Sequence, residues 1–359
     1  MILRAGSKMM MVVMNIKKLF LSVFIFIAGT FASALPGVKS KIADKSGEYI
    51  FYRDLSFKTP AVIGFVFYDD STYAIRFYSS EEKKDITLYI SINPKNKALE
   101  FTGETINGMV SQDDSDIVNY LHDLFYEFTE RRQKAELKNY GSKTVQENFT
   151  QFGGNVSIKY NTLVPVFNIE SIVSYDGKPL FSLITHGCLT SSSDTSFTDF
   201  KGFDSGLPKD KKRVFKLESA KKFKASFEKI NFELDGNWQQ GMENLWLLGE
   251  NALITVVSLQ VPQEFSSEDF INSMTRTLAC GTAGSYLLWE QLNIKQSDES
   301  VKIQSVFFQS DFNNVTRDFQ FLKVSGDGKA YLFKLTVFDG VYQQNKKYFD
   351  SIVKSCRIK

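Results

Sequence analysis

Two Asp-Gly hairpins about 151 residues apart constrain the fold of this chain more than any other feature. VSYDGKPLFSL (Val173–Leu183) and VSGDGKAYLFKL (Val324–Leu335) each read as strand, turn and strand. Asp-Gly between apolar runs predicts a tight hairpin, because both turn residues need positive φ. SDIVNYL (Ser115–Leu121) and SEDFINSM (Ser267–Met274) recur at nearly the same offset. The two matches predict two copies of one unit.

Each copy contains a helix with one apolar face. In the first, the face is spaced by four, three and four residues, and it comprises Ile117, Leu121, Leu124 and Phe128. Acids precede this helix and bases follow it, which suits the helix dipole. In the second, Phe270, Met274 and Leu278 form the stripe, and Ser266 with Asp269 resembles a capping box.

Aromatic and β-branched runs before and after each helix predict strands. A last helix, YQQNKKYFDSIVKSC, places Phe349, Ile352, Val353 and Cys356 on one face. The pattern predicts an α+β fold of two tandem related domains, each an antiparallel sheet with one central and one possible closing helix. The predicted boundaries are 35–200 for the first repeat, 201–228 for a linker or closing helix (ESAKKFKASFEKI), and 229–359 for the second repeat.

The second half resembles the PsbP/Mog1-like fold. The resemblance covers about residues 228–359 and lies in the strand and turn NFELDGNW, the helix SSEDFINSM, the meandering strands and the closing FDSIVKSCRI. It implies a fold often used by accessory and binding proteins without catalysis. It implies no ligand and no site residues for this chain.

The N-terminus has the parts of a secretory signal peptide. Lys17 and Lys18 precede an apolar run that ends in Ala32 and Ala34, so residues 1–34 are expected to be removed, with Met14 as an alternative start. This segment carries four bases and no acid, so its removal changes the formal charge from +2 to −2. We therefore expect a periplasmic or secreted protein, with no nucleic-acid partner. No later run predicts a transmembrane helix.

The stretch SMTRTLACGTAGSYLLWE (Ser273–Glu290) looks most like an enzyme loop. Its glycines follow a predicted helix, whereas a phosphate loop needs them before one. Gly281 is therefore predicted to be a left-handed cap. Cys280 is expected to be a structural thiol, because a helix C-terminus disfavours a thiolate. Ser285 lacks the flanking glycines of a nucleophile elbow.

ITHGCL contains the one other catalytic candidate, Cys188 with His186. A Cys–His pair can supply a nucleophile and a base, but two residues on one strand face rarely hold a third group in line. His122 is the only other histidine, and it lies towards the polar side of the first helix. The alternative interpretation is a buried thiol on a core strand.

No cofactor or metal site is predicted. The histidines and cysteines lack zinc-binding spacing, and QDDSD lacks the pattern of a calcium loop. Lys209–Arg213 is interpreted as a solvated basic loop. The tryptophans Trp238, Trp246 and Trp289 could line a ligand groove, although such residues more often fill a core. The three cysteines leave at least one unpaired, and a disulfide between Cys280 and Cys356 is one possibility.

These observations favour an exported, non-enzymatic envelope protein. It would bind a partner protein or a small ligand through its sheets or through the cleft between the repeats. One alternative is an envelope hydrolase that uses Cys188 and His186. A second is an outer-membrane β-barrel, suggested by the aromatic strands, although the predicted C-terminal helix does not fit that architecture. The oligomeric state is left open.

Overall fold

The computed structural model describes residues 46–359 except 94, 97, 109–113, 135–141, 190, 204–207, 211, 281–284, 289–292, 298 and 310–312. The predicted signal peptide, the alternative start at Met14, the cap at Gly281 and the groove residue Trp289 lie outside the described residues. Within them, no helix combines the length and the apolar character needed to cross a membrane.

The first domain is a nine-stranded antiparallel sheet with one long helix. Its strands are β1 (Glu48–Asp54), β2 (Ala61–Asp69), β3 (Thr72–Ser79), β4 (Lys84–Ile92), β5 (Leu99–Gly108), β6 (Ser142–Phe149), β7 (Gly154–Asn161), β8 (Ile169–Ser174) and β9 (Pro179–Cys188). Their spatial order is β5-β4-β3-β2-β1-β9-β8-β7-β6. The first and last strands therefore meet at the centre, and β5 and β6 form the edges.

Helix α1 (Asp114–Lys134) connects the two edge strands and covers one face of this sheet. The predicted apolar stripe is confirmed, because Ile117, Leu121, Leu124 and Phe128 are all buried. They pack against a core dominated by aromatic rings, in which Phe65 and Phe167 meet edge to face at 5.0 Å. Burying such rings supplies much of the apolar stabilisation of the domain.

The chain that follows β9 covers the other face of the sheet. Phe197 and Phe200 pack on Phe51, with ring centroids 5.2 and 4.2 Å apart. Gly64 makes room for this contact, since a Cβ there would lie 2.3 Å from the Phe51 ring. The segment after β9 is therefore part of the first domain.

Buried Arg76 fixes that segment in place. Its Nε and Nη2 donate to the two carboxylate oxygens of Asp85, each at 2.8 Å. Its Nη1 donates to the carbonyl oxygens of Phe197 and Phe200, at 2.8 and 2.6 Å. A bidentate pair that also satisfies two carbonyls is a strong and directional tie.

The described residues of the second domain form two antiparallel sheets and three helices. Its strands are β10 (Lys222–Phe227), β11 (Ile230–Asp235), β12 (Gln239–Met242), β13 (Leu245–Leu248), β14 (Ala252–Gln260), β15 (Ser285–Leu287), β16 (Asn293–Ser297), β17 (Ser300–Gln309), β18 (Asn314–Ser325), β19 (Lys329–Phe338) and β20 (Arg357–Ile358). The helices are α2 (Ser267–Ala279), α3 (Asp339–Gln344) and α4 (Lys346–Ser355). The larger sheet has the order β12-β13-β14-β19-β18-β17-β15, with β16 also on β17, and the smaller has the order β10-β11-β20.

The α+β class and the two tandem domains follow the sequence prediction. Both Asp-Gly hairpins are present, as β8–β9 and β18–β19. They are not two-residue turns, however, because only Gly177 and Gly328 have positive φ among the turn residues. Each loop is longer and uses its glycine as the single left-handed residue.

The prediction of a helix at ESAKKFKASFEKI is wrong. Residues 222–227 form β10, which pairs with β11 across a short turn at Glu228 and Lys229. The apolar residues Phe223, Ala225 and Phe227 recur every second position, which is the period of a strand. The first domain has no closing helix among its described residues.

The strand orders also show that the two sheets are not copies of one topology. In the first domain the last strand pairs with the first strand, β1. In the larger sheet of the second domain the last strand, β19, pairs with β14, the strand directly before helix α2. The short sequence matches therefore mark elements that both domains use, an Asp-Gly hairpin and a helix with acidic residues in its first turn.

Trp238 and Trp246 are not groove residues, because both are buried in the core of the second domain. The Trp238 indole N–H donates to Tyr348 Oη at 2.8 Å, and Tyr348 Oη donates to Asp235 at 3.0 Å. Trp246 meets Phe232 edge to face at 5.0 Å. The turn in NFELDGNW thus ties the closing helix to the sheet.

We expect Tyr348→Phe to lower the free energy of unfolding by about 1–3 kcal/mol, because it leaves a buried indole N–H without its acceptor. Urea unfolding followed by tryptophan fluorescence measures this change. Tyr175→Phe is the matched control, since Tyr175 is 87% exposed. Equal stability of the two variants would contradict the structural role of the Tyr348 hydroxyl.

Candidate functional site

The last turn of α2 carries an arginine into the first domain. The helix begins as predicted: Ser266 Oγ accepts from the Asp269 N–H at 3.1 Å and donates to the Asp269 carboxylate at 2.8 Å. Phe270 and Met274 pack in a core cluster with residues of β17 and β18. Arg276 is 3% exposed, so its turn is covered by protein on both sides.

Three groups of the first domain receive the Arg276 guanidinium. Nε donates to the carbonyl oxygen of Thr162 at 3.0 Å, and Nη2 donates to the Asn168 amide oxygen at 2.7 Å. Nη1 lies 3.4 Å from the carboxylate of Glu48, which is 1% exposed. We call these four residues the interdomain polar contact. It fixes the end of α2 on β1 and on the loop between β7 and β8.

His186 and Cys188 lie beside this contact. In the pairing of β1 with β9, Glu48 is opposite Cys188 and Ile50 is opposite His186. Residues paired across antiparallel strands share a face, so His186 and Cys188 face the same side as Glu48. Burial, followed by the positive charge of Arg276, lowers the pKa of His186 to about 3. The imidazole is therefore neutral at neutral pH.

The thiols of Cys188 and Cys280 flank the same region from opposite domains. Cys188 Sγ lies 3.8 and 3.6 Å from the carbonyl oxygens of Ser46 and Leu189. Cys280 ends α2, one turn after Arg276, and its N–H donates to the Arg276 carbonyl. Burial is the main cause of the raised pKa of Tyr49, and charges on Tyr286, Asp194, Cys280 and Cys188 raise it further.

No disulfide joins Cys280 to Cys356, and all three cysteines are thiols. Cys280 lies at the end of α2, close to the first domain. Cys356 packs with Phe349 and Ile352 in a separate core cluster, where burial raises the pKa of its thiol to about 12. The two residues both end helices, as predicted, but they lie in different parts of the fold.

Apolar residues extend the contact between the domains. Thr185 Oγ1 donates to the Leu287 carbonyl at 2.6 Å, which brings β15 against β9. Leu287 and Phe307 belong to the core cluster of the first domain. The Tyr286 ring lies 5.3 Å from Phe200 in the segment that Arg76 fixes. Polar and apolar contacts together join the two domains.

In the predicted solvated loop at Lys209–Arg213, Lys209 and Lys212 are exposed, whereas Asp210 and Arg213 contact the second domain. Asp210 accepts from the N–H groups of Val315 and Gly340, at 3.2 and 3.0 Å. The Arg213 guanidinium stacks on the Phe338 ring, 3.4 Å from its centroid. Asp210 and Arg213 therefore hold this loop against the second domain.

Sequence reasoning missed Arg276 and Glu48. A signal was present in α2, whose only charges after the first turn belong to Arg276. A solvent-facing helix side usually carries more charge than that. Glu48 stands at the start of an apolar strand, where an acid is rarely buried unless it is paired. In the described part of the chain, no group of three His, Cys, Asp or Glu residues could hold a metal ion.

The chemistry of this arrangement favours a structural role over nucleophilic catalysis. A general base acts best when its pKa is near the working pH. Burial and Arg276 make protonation of His186 unfavourable, and Cys188 Sγ contacts the carbonyl oxygens of Ser46 and Leu189. The geometry does not support the pair as a nucleophile and its base.

Arg276→Met tests whether this contact couples the domains. All three tryptophans lie in the second half of the chain, so their fluorescence reports on that half alone. We expect the free energy of unfolding to fall by about 3–5 kcal/mol, because Glu48 would be left buried without its charged partner. In urea, the fluorescence and circular-dichroism transitions should separate. Glu48→Gln combined with Arg276→Met should recover part of the loss; coincident transitions of wild-type stability would contradict the coupling.

His186 should make stability depend on pH. Its pKa is about 3 when folded and 6.5 when unfolded, so the unfolded state binds more protons in this interval. The stabilisation is present above pH 6.5 and is lost as the pH falls towards 3, at up to about 1.4 kcal/mol per pH unit. Urea unfolding at several pH values gives the slope of the free energy of unfolding against pH, and this slope should be shallower in His186→Gln. An identical pH slope in both proteins would contradict the lowered pKa of His186.

Comparison with family models divides the chain as the fold does. Residues 47–198 match a model described as Domain of unknown function (DUF7954). Residues 222–357 match another, described as Domain of unknown function (DUF7955). No curated protein matches the sequence.

Three solved structures show likenesses at low identity. Cyanobacterial PsbP (CyanoP) from Synechocystis sp. PCC 6803 is 13% identical, with 41% of this chain and 98% of that chain covered and a TM-score of 0.27. The Saccharomyces cerevisiae Ran-binding protein Mog1p is 10% identical, with 39% and 95% covered and a TM-score of 0.26. MucB in complex with MucA(peri) is 7% identical, with 89% and 95% covered and a TM-score of 0.16.

PsbP and Mog1p are also the proteins after which the fold that the second half of the sequence resembles is named. The chain consists of two tandem domains, and each matches its own family model.

Proposed function

We propose that this protein is an exported binding protein of the cell envelope, whose two domains act as one body. The proposal includes removal of residues 1–34 and a location in the periplasm or outside the cell. Its partner is another protein, bound through the sheets of the molecule. We assign no catalytic step and no cofactor.

The observation that carries this proposal is that the site-like cluster found among the described residues joins the two domains. The domains are joined by the contacts of Arg276 with Glu48 and Asn168, and His186 is buried beside them. These side chains occupy the space between the domains and fix the orientation of the two sheets. A partner would therefore bind to the outer parts of the sheets rather than between the domains.

The hydrolase alternative gains no support from these contacts. A Cys–His mechanism needs the thiolate to be stabilised by a base or a positive group, and it needs access for a substrate. His186 is fully covered, and its pKa lies far below neutrality. We therefore retain the binding function as the single proposal.

The test compares capture with turnover. Tagged mature protein and its Cys188→Ala variant are incubated with an envelope extract of the source cells, and the bound proteins are identified by mass. We expect both to retain the same partner in similar amounts, because Cys188 supports no chemistry. Esterase and peptidase substrates should be turned over at the same background rate by both proteins.

Two outcomes would overturn the proposal. One is turnover by the wild type that is lost in Cys188→Ala. The other is a full-length chain that keeps residues 1–34 in the cell, which the intact mass of the native protein would reveal. Arg276→Met is a further variant. It removes the interdomain polar contact without changing the surface residues, and it should weaken capture of the partner.

A further inference from the structure

An exposed aromatic surface lies at the β5 edge of the first sheet. Phe101 on β5 is 46% exposed, and Tyr126 on α1 is 50% exposed. The ring of His122 lies 5.3 Å from that of Phe101, and Tyr126 follows His122 by one helical turn. We call Phe101, His122 and Tyr126 the edge aromatic patch. Large exposed rings at one place mark an interaction surface more often than scattered single ones.

The strand beside this patch has one open side. In the strand order of the described residues, β5 pairs with β4 and with nothing else. An edge strand presents alternate N–H and C=O groups that another chain can pair with. Phe101 is opposite Ile90 of the core, so it faces the α1 side of the sheet. A strand added to β5 would therefore run directly past the patch.

The charges around the patch are mostly acidic. Glu104 is opposite Leu88 of the core and thus shares the face of Phe101. Asp123 and Glu130 are exposed on α1, and Glu130 accepts from Tyr126 Oη at 2.9 Å. The described bases within about six positions of the patch are Lys95, in the β4–β5 turn, Arg131 and Arg132. Arg131 is paired with Glu127 and Glu147.

We propose that an extended basic segment of a partner polypeptide adds to β5 as a tenth strand. Its backbone would pair with the open side of β5, and its lysines or arginines would meet the acids and rings of the patch. Strand addition gives affinity through main-chain hydrogen bonds and specificity through alternate side chains. Cations also bind favourably over aromatic faces. This inference rests on the proposed function and names its surface and partner class.

The probe is a synthetic eight-residue peptide of alternating lysine and valine, with a terminal dye for anisotropy. We expect it to bind the mature protein, and a peptide with glutamate in place of lysine to show no binding. Binding should weaken strongly with salt, because raising the ionic strength from about 0.01 to about 1 M shortens the Debye length from about 30 to about 3 Å.

Phe101→Ser should weaken binding of the lysine peptide at least tenfold, and Glu104→Lys should do the same. Phe223→Ser is the matched control, because Phe223 is an exposed phenylalanine on β10, an edge strand of the second domain. It should leave the affinity unchanged. Equal effects of Phe101→Ser and Phe223→Ser would overturn the proposal.

Two N-methylated peptides test the backbone pairing. One carries methyl groups on the first, third and later odd amides, and the other carries them on the even amides. Strand addition requires one register to lose binding and the other to keep it, since alternate N–H groups face the neighbouring strand. Equal binding by both would overturn pairing with β5.

A photo-crosslinking amino acid in place of Phe101 identifies the natural occupant. We expect a crosslink to a basic segment of another protein in the envelope extract. A crosslink within the chain to residues 35–45, or to a second copy, would overturn the proposal. If the unmutated mature protein captures an envelope partner but does not bind the lysine peptide, this surface alone is refuted. If the unmutated mature protein captures no partner, the proposed function is refuted.

Discussion

The structure depends on a buried charge pair that crosses from one domain to the other. Taking Glu48 and Arg276 out of water is costly, and their attraction alone does not guarantee a return. The arrangement is tolerated because Thr162 and Asn168 satisfy two further donors of the guanidinium. Such a contact adds less to stability than apolar packing of the same volume, but it accepts only one relative placement of α2 and β1. The main effect of this contact is to fix the orientation of the two domains.

This constraint explains why the residues most suggestive of chemistry lie together. His186, Cys188 and Cys280 all surround the contact, two from the centre of the first sheet and one from the end of α2. A guanidinium next to an imidazole suppresses imidazolium, and a helix C-terminus does not favour a thiolate. The positive charge of Arg276, which joins the domains, also helps to keep His186 in its neutral form.

Local pattern determined much of what could be predicted. The stripes of α1 and α2, the Ser266 cap and both glycine hairpins follow from periodicity and turn chemistry within a few residues. The strand at residues 222–227 was mistaken for a helix because its lysines obscure a period of two. Strand order was beyond prediction, since the pairing of β1 with β9 joins residues about 140 positions apart. Arg276 was missed for the same reason: its partners, Glu48 and Thr162, lie far away in the chain.

The placement of Leu287 and Phe307 in the core of the first domain has a consequence for how the molecule is made. A chain synthesised from its N-terminus delivers all nine strands of the first sheet before these two residues arrive. Until then the apolar surface near β9 stays exposed to water, at a cost of about 25 cal/mol for each Å² left unburied. The first domain can therefore collapse early but acquires its full stability only when the second has emerged. A partially synthesised chain would be held in a state that proteases and holding chaperones can still recognise.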